Sequence, residues 1–310
     1  MSNAAPASAL AATDQRAMQN AITVSVVIPH YDDLANLENC LTLLARQTLS
    51  RDAFEVIVAD NNSHCGLEAV QRVCADRAEV VPAPIQGAGE ARNAGATASR
   101  GATLAFIDSD CRPHADWLER GLAAMGNSDD IVGGRVDVDV EDPERLTAVE
   151  AYEKVFAFNF ERYIGKKGFS GSGNLFVRRA TFDAVGGFRV GPAEDMEWSR
   201  RATRSGHKLR YARDVVVSHP ARRDWSELIR KWRRISREGY LLMIEQPHGR
   251  FLWFARSVFV LVSPLPQSFQ VLRSPKLHSA RERWAAIRVL LRLRLWRFIE
   301  CQRLLAENPR

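Results

Sequence analysis

The sequence lacks the features of a secreted protein. Its five cysteines include no CxxC pair, and their odd number and wide spacing indicate reduced thiols. Residues 1–21 are rich in alanine and serine and contain no apolar core run, so we expect a disordered leader there, not a signal peptide. Both absences favour a cytoplasmic location.

Long apolar runs are also missing. No stretch reaches the roughly 18 uninterrupted apolar residues that a membrane-spanning helix needs. The nearest stretch covers residues 251–266, where Arg256 interrupts the run and two prolines close it. A segment of this kind lies either in a membrane interface or in a protein core.

Acidic residues are scarce in the last third of the chain. Residues 200–310 contain 25 Lys and Arg against 8 Asp and Glu, although the net charge of the whole chain is only +6. A surface with this balance attracts anionic lipid, nucleic acid or phosphate-bearing substrates, or is simply solvated. Our hypothesis is that residues 224–310 form a helical basic region that associates with a partner or with the anionic cytoplasmic face of the inner membrane.

From residue 22 onward, the sequence alternates regularly between strand and helix patterns. Four apolar runs, rich in β-branched residues, end at or near Pro29, Asp60, Ala83 and Asp108. Segments with helical spacing separate these runs, which predicts βαβ units and a parallel sheet. The regularity decreases after residue 110, and residues 207–220 are interpreted as two short strands. We therefore expect an α/β domain over residues 22–223.

Two aspartates close the fourth apolar run. Asp108 and Asp110 flank Ser109, and Asp60 ends the second run in the same way. Because parallel sheets bind ligands at the carboxyl ends of their strands, we expect these carboxylates to face one crevice. Carboxylates at i and i+2 can both coordinate Mg²⁺ or Mn²⁺, ions that are often shared with substrate phosphates. An isolated pair of this kind also occurs by chance in solvated turns, so its place after a buried strand favours a metal site.

A series of motifs in a fixed order gives this site a context. The order is VSVVIPHYD, EVIVADNNS, GAGEARNAG, LAFIDSDCRPHADWL, GSGNLFVRR, GPAEDMEWSRR and VVVSHP. From Val24 to Tyr240 the chain thereby resembles the family-2 glycosyltransferases with the Rossmann-like GT-A fold. The resemblance implies a mainly parallel sheet and an inverting, metal-assisted transfer of sugar from a nucleoside-diphosphate sugar. We expect a UDP-sugar donor, a saccharide or polyprenyl-linked saccharide acceptor, and a role in cell-surface polysaccharide or glycolipid synthesis.

The resemblance also implies roles for single residues. Contacts to the nucleotide are implied for Pro29, Tyr31, Asp60, Arg92, Asp108 and Ser109. Ligands of a Mn²⁺ or Mg²⁺ ion are implied at Asp108, Asp110 and His219. Without the resemblance, His219 would be interpreted as a hydrogen-bonded histidine at a strand end.

Inversion by a single displacement requires a general base for the acceptor hydroxyl. Asp195 is our candidate, and the adjacent Glu194 is a second catalytic candidate that could orient the acceptor; alternatively, both cap a helix. Gly173 and Asn174 lie in a small-residue segment where backbone could approach the sugar or acceptor. Trp198 either stacks on the acceptor or belongs to the core.

Two other classes of protein fit the sequence less well. A dinucleotide-dependent oxidoreductase would need a third glycine at position 92 of GAGEARNAG, where Arg92 stands. A nucleic-acid-binding protein would explain the basic last third, but the acidic first two thirds and the absence of a zinc or recognition-helix signature disfavour it. We therefore expect no nucleic-acid partner.

Overall fold

An eight-stranded sheet forms the centre of the fold. The computed structural model describes residues 22–191 and 193–307, so the predicted leader at residues 1–21 lies outside the described residues. The strands are β1 Val24–His30, β2 Phe54–Asp60, β3 Glu79–Pro82, β4 Thr103–Ile107, β5 Arg112–Pro113, β6 Ile131–Asp139, β7 Asn174–Arg178 and β8 Leu209–Pro220. Their order across the sheet is β3-β2-β1-β4-β7-β6-β8-β5.

Helices connect and follow these strands. Those in the first two thirds of the chain are α1 Leu34–Leu44, α2 Leu67–Cys74, α3 Ala88–Ala98, α4 Trp117–Met125, α5 Ala148–Phe156, α6 Phe160–Lys167, α7 Arg179–Val185 and α8 Glu194–Arg204. The later ones are α9 Trp225–Ile244, α10 Gly249–Val262, α11 Pro264–Leu272 and α12 Ala280–Ala306. The Asp33 side chain caps α1 by accepting from the Asn36 backbone N–H.

The parallel half of the sheet confirms the expectation from the apolar runs. β1 pairs in parallel with β2 on one side and β4 on the other, and β2 pairs with β3. All seven residues of β2 are buried, because parallel sheets are covered on both faces. The register places His30 beside Asp60, so the polar residues that end β1 and β2 are neighbours at the carboxyl edge.

The second half of the sheet is antiparallel, which the sequence did not indicate. β7 pairs antiparallel with β4 and β6, and the short β5 pairs antiparallel with β8. The prediction of two short strands in residues 207–220 was wrong, because β8 is continuous through Arg213 and Asp214. Both side chains are exposed, and an antiparallel strand accommodates them at a solvated position.

The chain divides into two compact units. Among the described residues, the first consists of 22–136, 160–190 and 194–218, and the second of 137–159, 191, 193 and 219–307. The core of the first unit includes Val27, Leu104, Phe106, Leu175 and Trp198. The second unit takes in α5 as well as the C-terminal helices, whereas the sequence placed the domain boundary at residue 224; that boundary stays a prediction.

The second unit is built around its long final helix. α12 packs against α5 and α9–α11, and Leu228, Val271 and Leu290 contribute to the shared core. A capping box at Ser279 and Glu282 begins α12, which lies within the predicted helical region. Among the described helices, none is apolar over a length that would cross a membrane.

Candidate active site

The end of β1 is fastened to the end of β2 by buried polar side chains. His30 Nδ1 lies 3.1 Å from Asp60 Oδ1, and His30 is 1 % exposed. The Asp33 backbone N–H donates to His30 Nε2 at 3.3 Å, which assigns the ring proton to Nδ1 and its hydrogen bond to Asp60. Ser63 Oγ also donates to Asp60 Oδ1 at 2.5 Å. Asp60, predicted to contact the nucleobase, is therefore held rigidly at the edge of the sheet.

The loop after β1 presents an exposed aromatic ring beside this carboxylate. Tyr31 is 44 % exposed, and its hydroxyl lies 3.3 Å from His64 Nδ1. Asp32 accepts from the backbone N–H of His64 at 2.7 Å, which ties the loop after β1 to the loop after β2. Pro29 lies within β1 beside Ala59 and is half-buried. The arrangement is an open aromatic surface at the strand ends, and its contact with the nucleotide stays a prediction.

Arg92 joins two carboxylates that are far apart in the sequence. Its Nη2 donates to Asp108 Oδ1 at 2.6 Å and its Nη1 donates to Glu194 Oε1 at 3.0 Å. Arg92 is 4 % exposed, and although burial opposes its charge, Asp108 and Glu194 raise its pKa overall. Its Nε is buried and makes no hydrogen bond within the described residues. Arg92 thus fixes the β4 end and the start of α8 while keeping one donor unpaired.

The DSD segment forms the group most suited to a divalent cation. Ligand atoms of Asp108, Asp110 and Cys111 all lie within 4.8 Å of one another. Burial and the two aspartate charges raise the pKa of the Cys111 thiol well above its usual range, so it is a neutral thiol and a poor ligand at pH 7. The two carboxylates remain, and hard oxygen ligands fit Mn²⁺ or Mg²⁺. Ser109 lies between them and is partly exposed.

Gly173 lies directly beside the Asp108 carboxylate. A Cβ atom at this position would lie 2.6 Å from Asp108 Oδ2, which is closer than real Cβ atoms approach other atoms. The first residue of β7 pairs with Ile107, so the segment before β7 lies directly beside the DSD turn. A larger residue here would displace the Asp108 carboxylate, which occupies the space of a side chain.

Asn174 lies at the same place but has a structural role. It is fully buried; its Oδ1 accepts from Trp117 Nε1 at 3.0 Å, and its Nδ2 donates to the carbonyls of Arg135 and Val215. These bonds link β7 to β6, β8 and α4. A contact of the Asn174 side chain with the sugar or acceptor is therefore excluded, because every polar atom of its amide is used internally, whereas the expected approach of the backbone stays a prediction.

For Trp198, the structure decides between the two interpretations and excludes stacking on the acceptor. Its ring is fully buried in the core of the first unit, where it packs against Phe182 and Phe188. Its Nε1 donates to the Gly186 carbonyl at 2.8 Å. No face of the ring is available for stacking on an acceptor, so the core interpretation holds.

Asp195 and Glu194 begin α8 beside this group. Burial raises the pKa of Asp195 to about 6, the charge of Glu194 adds to the increase, and Arg92 opposes it. Its Oδ1 accepts from the Met196 backbone N–H at 2.7 Å. A carboxylate with a pKa this close to neutrality is suited to proton transfer.

His219 lies in the second unit, so its relation to the DSD segment stays a prediction. Its Nδ1 is 2.7 Å from the Pro220 carbonyl, and its ring packs at 4.5 Å from that of Phe158. A proton on Nδ1 would leave Nε2 as the coordinating atom.

Two anchoring residues were missed from the sequence. His30 carried no role in the sequence analysis, yet it is the buried partner of Asp60. No local pattern in the sequence indicates a role for Ser63, although its hydroxyl donates a hydrogen bond to the same carboxylate. The strand register that places His30 beside Asp60 could have identified the first, since both residues end parallel runs.

Comparisons with known proteins identify the family of the chain. The family model described as Glycosyl transferase family 2 matches residues 25–190. Glycosyltransferase AglE of Haloferax volcanii is 36 % identical over 252 residues, which cover 79 % of this chain and 82 % of AglE.

Solved structures share the fold. The mannosyltransferase PcManGT from Pyrobaculum calidifontis, in complex with GDP-Man and Mn²⁺, aligns with a TM-score of 0.56 at 18 % identity, covering 90 % of this chain and 85 % of PcManGT. S. aureus TarS 1–349 in complex with UDP aligns with a TM-score of 0.50 at 15 % identity, covering 87 % of this chain and 90 % of that one. The fold is GT-A, and the chain is a glycosyltransferase that belongs to glycosyl transferase family 2.

Proposed function

We propose that this glycosyltransferase moves a sugar, with inversion, from a UDP-sugar to a saccharide or a polyprenyl-linked saccharide. The observation that carries the proposal is the cluster in which Arg92 links Asp108 to Glu194, with Asp195 next in the chain. This cluster brings together the residues that we propose to bind the sugar donor, to bind the metal ion and to act as the base in one displacement reaction. GDP-Man and UDP, bound by the two similar structures, indicate the class of donor.

The nucleotide half of the site would lie at the ends of β1 and β2. Asp60 offers a fixed carboxylate to the hydrogen-bond donors of the nucleobase, and the exposed ring of Tyr31 offers a surface on which the nucleobase can stack. Arg92 Nε is buried without a hydrogen-bond partner among the described residues, so it is suited to donate a hydrogen bond to the nucleotide sugar. His30 and Ser63 support this half by holding Asp60 in place.

Asp108 and Asp110 would hold a Mn²⁺ or Mg²⁺ ion, with His219 as a third ligand. When bound, such an ion neutralises the charge that develops on the diphosphate leaving group. The chain's own contribution is positional, because Arg92 fixes one oxygen of Asp108 while the absent side chain of Gly173 leaves space for the other. Ser109, between the two aspartates, would contact the nucleotide.

Asp195 would accept the proton of the acceptor hydroxyl as that hydroxyl attacks the sugar. Its raised pKa keeps it a competent base near neutral pH, and ionisation is complete only above pH 6. Glu194 is engaged by Arg92, which suits it to position the start of α8 and the acceptor.

We further propose that the enzyme works at the cytoplasmic face of the membrane, in cell-surface polysaccharide or glycolipid synthesis. The support is the basic last third of the chain, whose charge would favour an anionic membrane surface and a phosphate-bearing acceptor.

The test is thermal unfolding with UDP or GDP, with and without Mn²⁺. A ligand that binds only the folded state raises the midpoint. We expect UDP to do so only with Mn²⁺, and Asp110→Asn to abolish the increase, while the exposed control Asp129→Asn retains it. An increase that needs no metal, or that survives Asp110→Asn, would contradict the metal assignment, and one seen only with GDP would change the donor.

A further inference from the structure

An arginine is buried in the second unit without an acidic partner. Arg297, on α12, is 7 % exposed, and its guanidinium carbon lies 4.0 Å from the centroid of the Trp232 ring. Its Nε is enclosed and has no hydrogen-bond partner among the described residues. Burial lowers the pKa of Arg297 to about 9, with the charges of Arg294 and Arg256 contributing. A positive charge in such a place is costly unless an anion compensates it.

Arg294 and Arg256 add positive charge near Arg297 and do not compensate its charge. Arg294 is equally buried and donates from Nε and Nη2 to the neutral amide oxygen of Gln267, at 3.1 and 2.9 Å. The guanidinium carbon of Arg256, on α10, lies 4.9 Å from the Trp253 ring centroid. Within the part of the chain that the structure describes, no carboxylate pairs with any of the three arginines. The buried Glu300 uses both of its oxygens on Arg303.

Two further buried donors lie on α9. Trp232 Nε1 and Ser236 Oγ are enclosed and make no hydrogen bond within residues 22–191 and 193–307. They are four residues apart and therefore on one face of α9, the helix whose Trp232 ring contacts Arg297. Buried donors are normally paired, so a group of donors with no acceptor indicates a ligand that brings its own oxygens.

The helices around these donors expose apolar residues at helical spacing. Phe251, Phe254, Val258 and Val262 recur every three or four residues on α10, and Leu265 and Phe269 continue on α11. Phe251 is 70 % exposed and Leu265 is 80 % exposed. We call these six residues the apolar face. Exposed apolar surface of this extent is uncommon unless it meets a lipid or another protein.

We propose that Arg256, Arg294 and Arg297, with Trp232 and Ser236, form a binding site for the phosphate group of an anionic lipid, whose acyl chains lie on the apolar face. The guanidinium groups and the two neutral donors match a tetrahedral oxyanion, which accepts several hydrogen bonds. The apolar face selects a lipid over a free phosphate ion, because a free ion would bury none of it. Charge and apolar surface together favour an anionic bilayer as the occupant. The site does not depend on the proposed transfer reaction.

Vesicle sedimentation tests the phosphate site. The full chain is mixed with phosphatidylcholine vesicles, with or without phosphatidylglycerol, at moderate salt. We expect binding only with phosphatidylglycerol, and Arg297→Gln to weaken it more than tenfold. The control Arg281→Gln removes the same charge from an exposed position of α12 and should change binding about fivefold or less, as expected for one basic residue near an anionic surface.

Thermal unfolding without lipid separates a ligand site from a structural arginine. If Arg297 serves a ligand, Arg297→Gln should unfold at the same or a higher temperature while losing vesicle binding. A lower midpoint with unchanged vesicle binding would overturn the proposal. Millimolar inorganic diphosphate should compete only weakly with vesicles, whereas full displacement would assign the site to a soluble phosphate compound and overturn the lipid assignment.

A matched pair of double variants tests whether the apolar face contributes to vesicle binding. Val262→Ser with Leu265→Ser should abolish binding to phosphatidylglycerol vesicles, because both side chains are exposed and their loss costs the fold little. The control pairs Ile85→Ser with Val190→Ser, which are equally exposed positions in the first unit. Equal binding by the two double variants would overturn the proposal.

Discussion

Asp195→Asn replaces the carboxylate that we assign as the base with a neutral group of the same shape. Its effect on stability can be derived from the structure, because burial raises the pKa of Asp195 from about 3.8 to about 6. Each unit of difference corresponds to about 1.4 kcal/mol, so ionising this group costs the folded state at most about 3 kcal/mol. Part of the side chain meets solvent, which makes this figure an upper limit.

The sign of the effect follows from the order of the two pKa values. Below pH 4 the carboxyl is protonated in both the folded and the unfolded state and costs nothing. Between pH 4 and pH 6 the unfolded chain ionises first, so wild-type stability falls as the pH rises. Above pH 6 both states are ionised and the loss is complete. Asp195→Asn should therefore be more stable than the wild type at pH 8 and equal to it near pH 4.

The same variant should lose catalysis. Without a group to accept the acceptor proton, turnover should fall by about 10²-fold or more, while the Mn²⁺-dependent stabilisation by nucleotide persists. Wild-type turnover should also decline as the pH is lowered through 6, as Asp195 becomes protonated.

Chemical denaturation at pH 4, 6 and 8, together with turnover at pH 8, tests this reasoning. Asp129→Asn is the control for a change of charge at an exposed position and should show neither effect. If Asp195→Asn is less stable than the wild type at pH 8, the carboxylate is a structural partner and not a strained base. If turnover is unaffected, the base lies elsewhere.

Three further predictions concern other parts of the molecule. Gly173→Ala should fold but lose roughly tenfold or more of its metal-dependent turnover, because the new methyl displaces the Asp108 carboxylate; unchanged turnover would show that Asp108 can move freely. His30→Phe should weaken nucleotide binding, measured by calorimetry, because Asp60 loses its buried donor; unchanged affinity would remove Asp60 from the nucleotide site. Glu153→Gln should destabilise the protein to urea by about 3 kcal/mol, because it removes the buried carboxylate that pairs with the half-buried Lys231 and Arg222; a change below about 1 kcal/mol would contradict the assigned ion pairs.

The sequence was most informative where chemistry and local pattern coincide. β1, β2 and β4 are apolar runs that end in polar residues, so both the strands and the functional edge of the sheet could be predicted. Helix starts marked by an acidic or hydroxyl cap were also predictable, as at Asp33 and Ser279. In these cases, the signal and its structural consequence lie within a few residues of each other.

The rest depended on neighbours distant in sequence. Asn174 was expected at the acceptor because of its small-residue context, but its partners Trp117 and Val215 are 57 and 41 residues away. Trp198 presents the same difficulty, since an aromatic residue on a helix near acidic side chains can serve either a ligand or the core. The roles of Asn174 and Trp198 cannot be assigned from the sequence, because only the antiparallel half of the sheet brings these segments together.

The division of roles between Glu194 and Asp195 follows from what each touches. Both begin α8, where the positive end of the helix favours negative charge. Glu194 is paired with Arg92 at 3.0 Å, so its negative charge is already compensated and is needed to hold the arginine. Among the described residues, the Met196 backbone N–H is the only hydrogen-bond donor to Asp195, and burial beside Glu194 raises the pKa of Asp195 towards neutrality. Two adjacent carboxyl groups in different environments take different tasks, and the one whose ionised form is least stabilised gains most from taking up a proton. The structure therefore favours Asp195 as the base and Glu194 as the residue that positions Arg92.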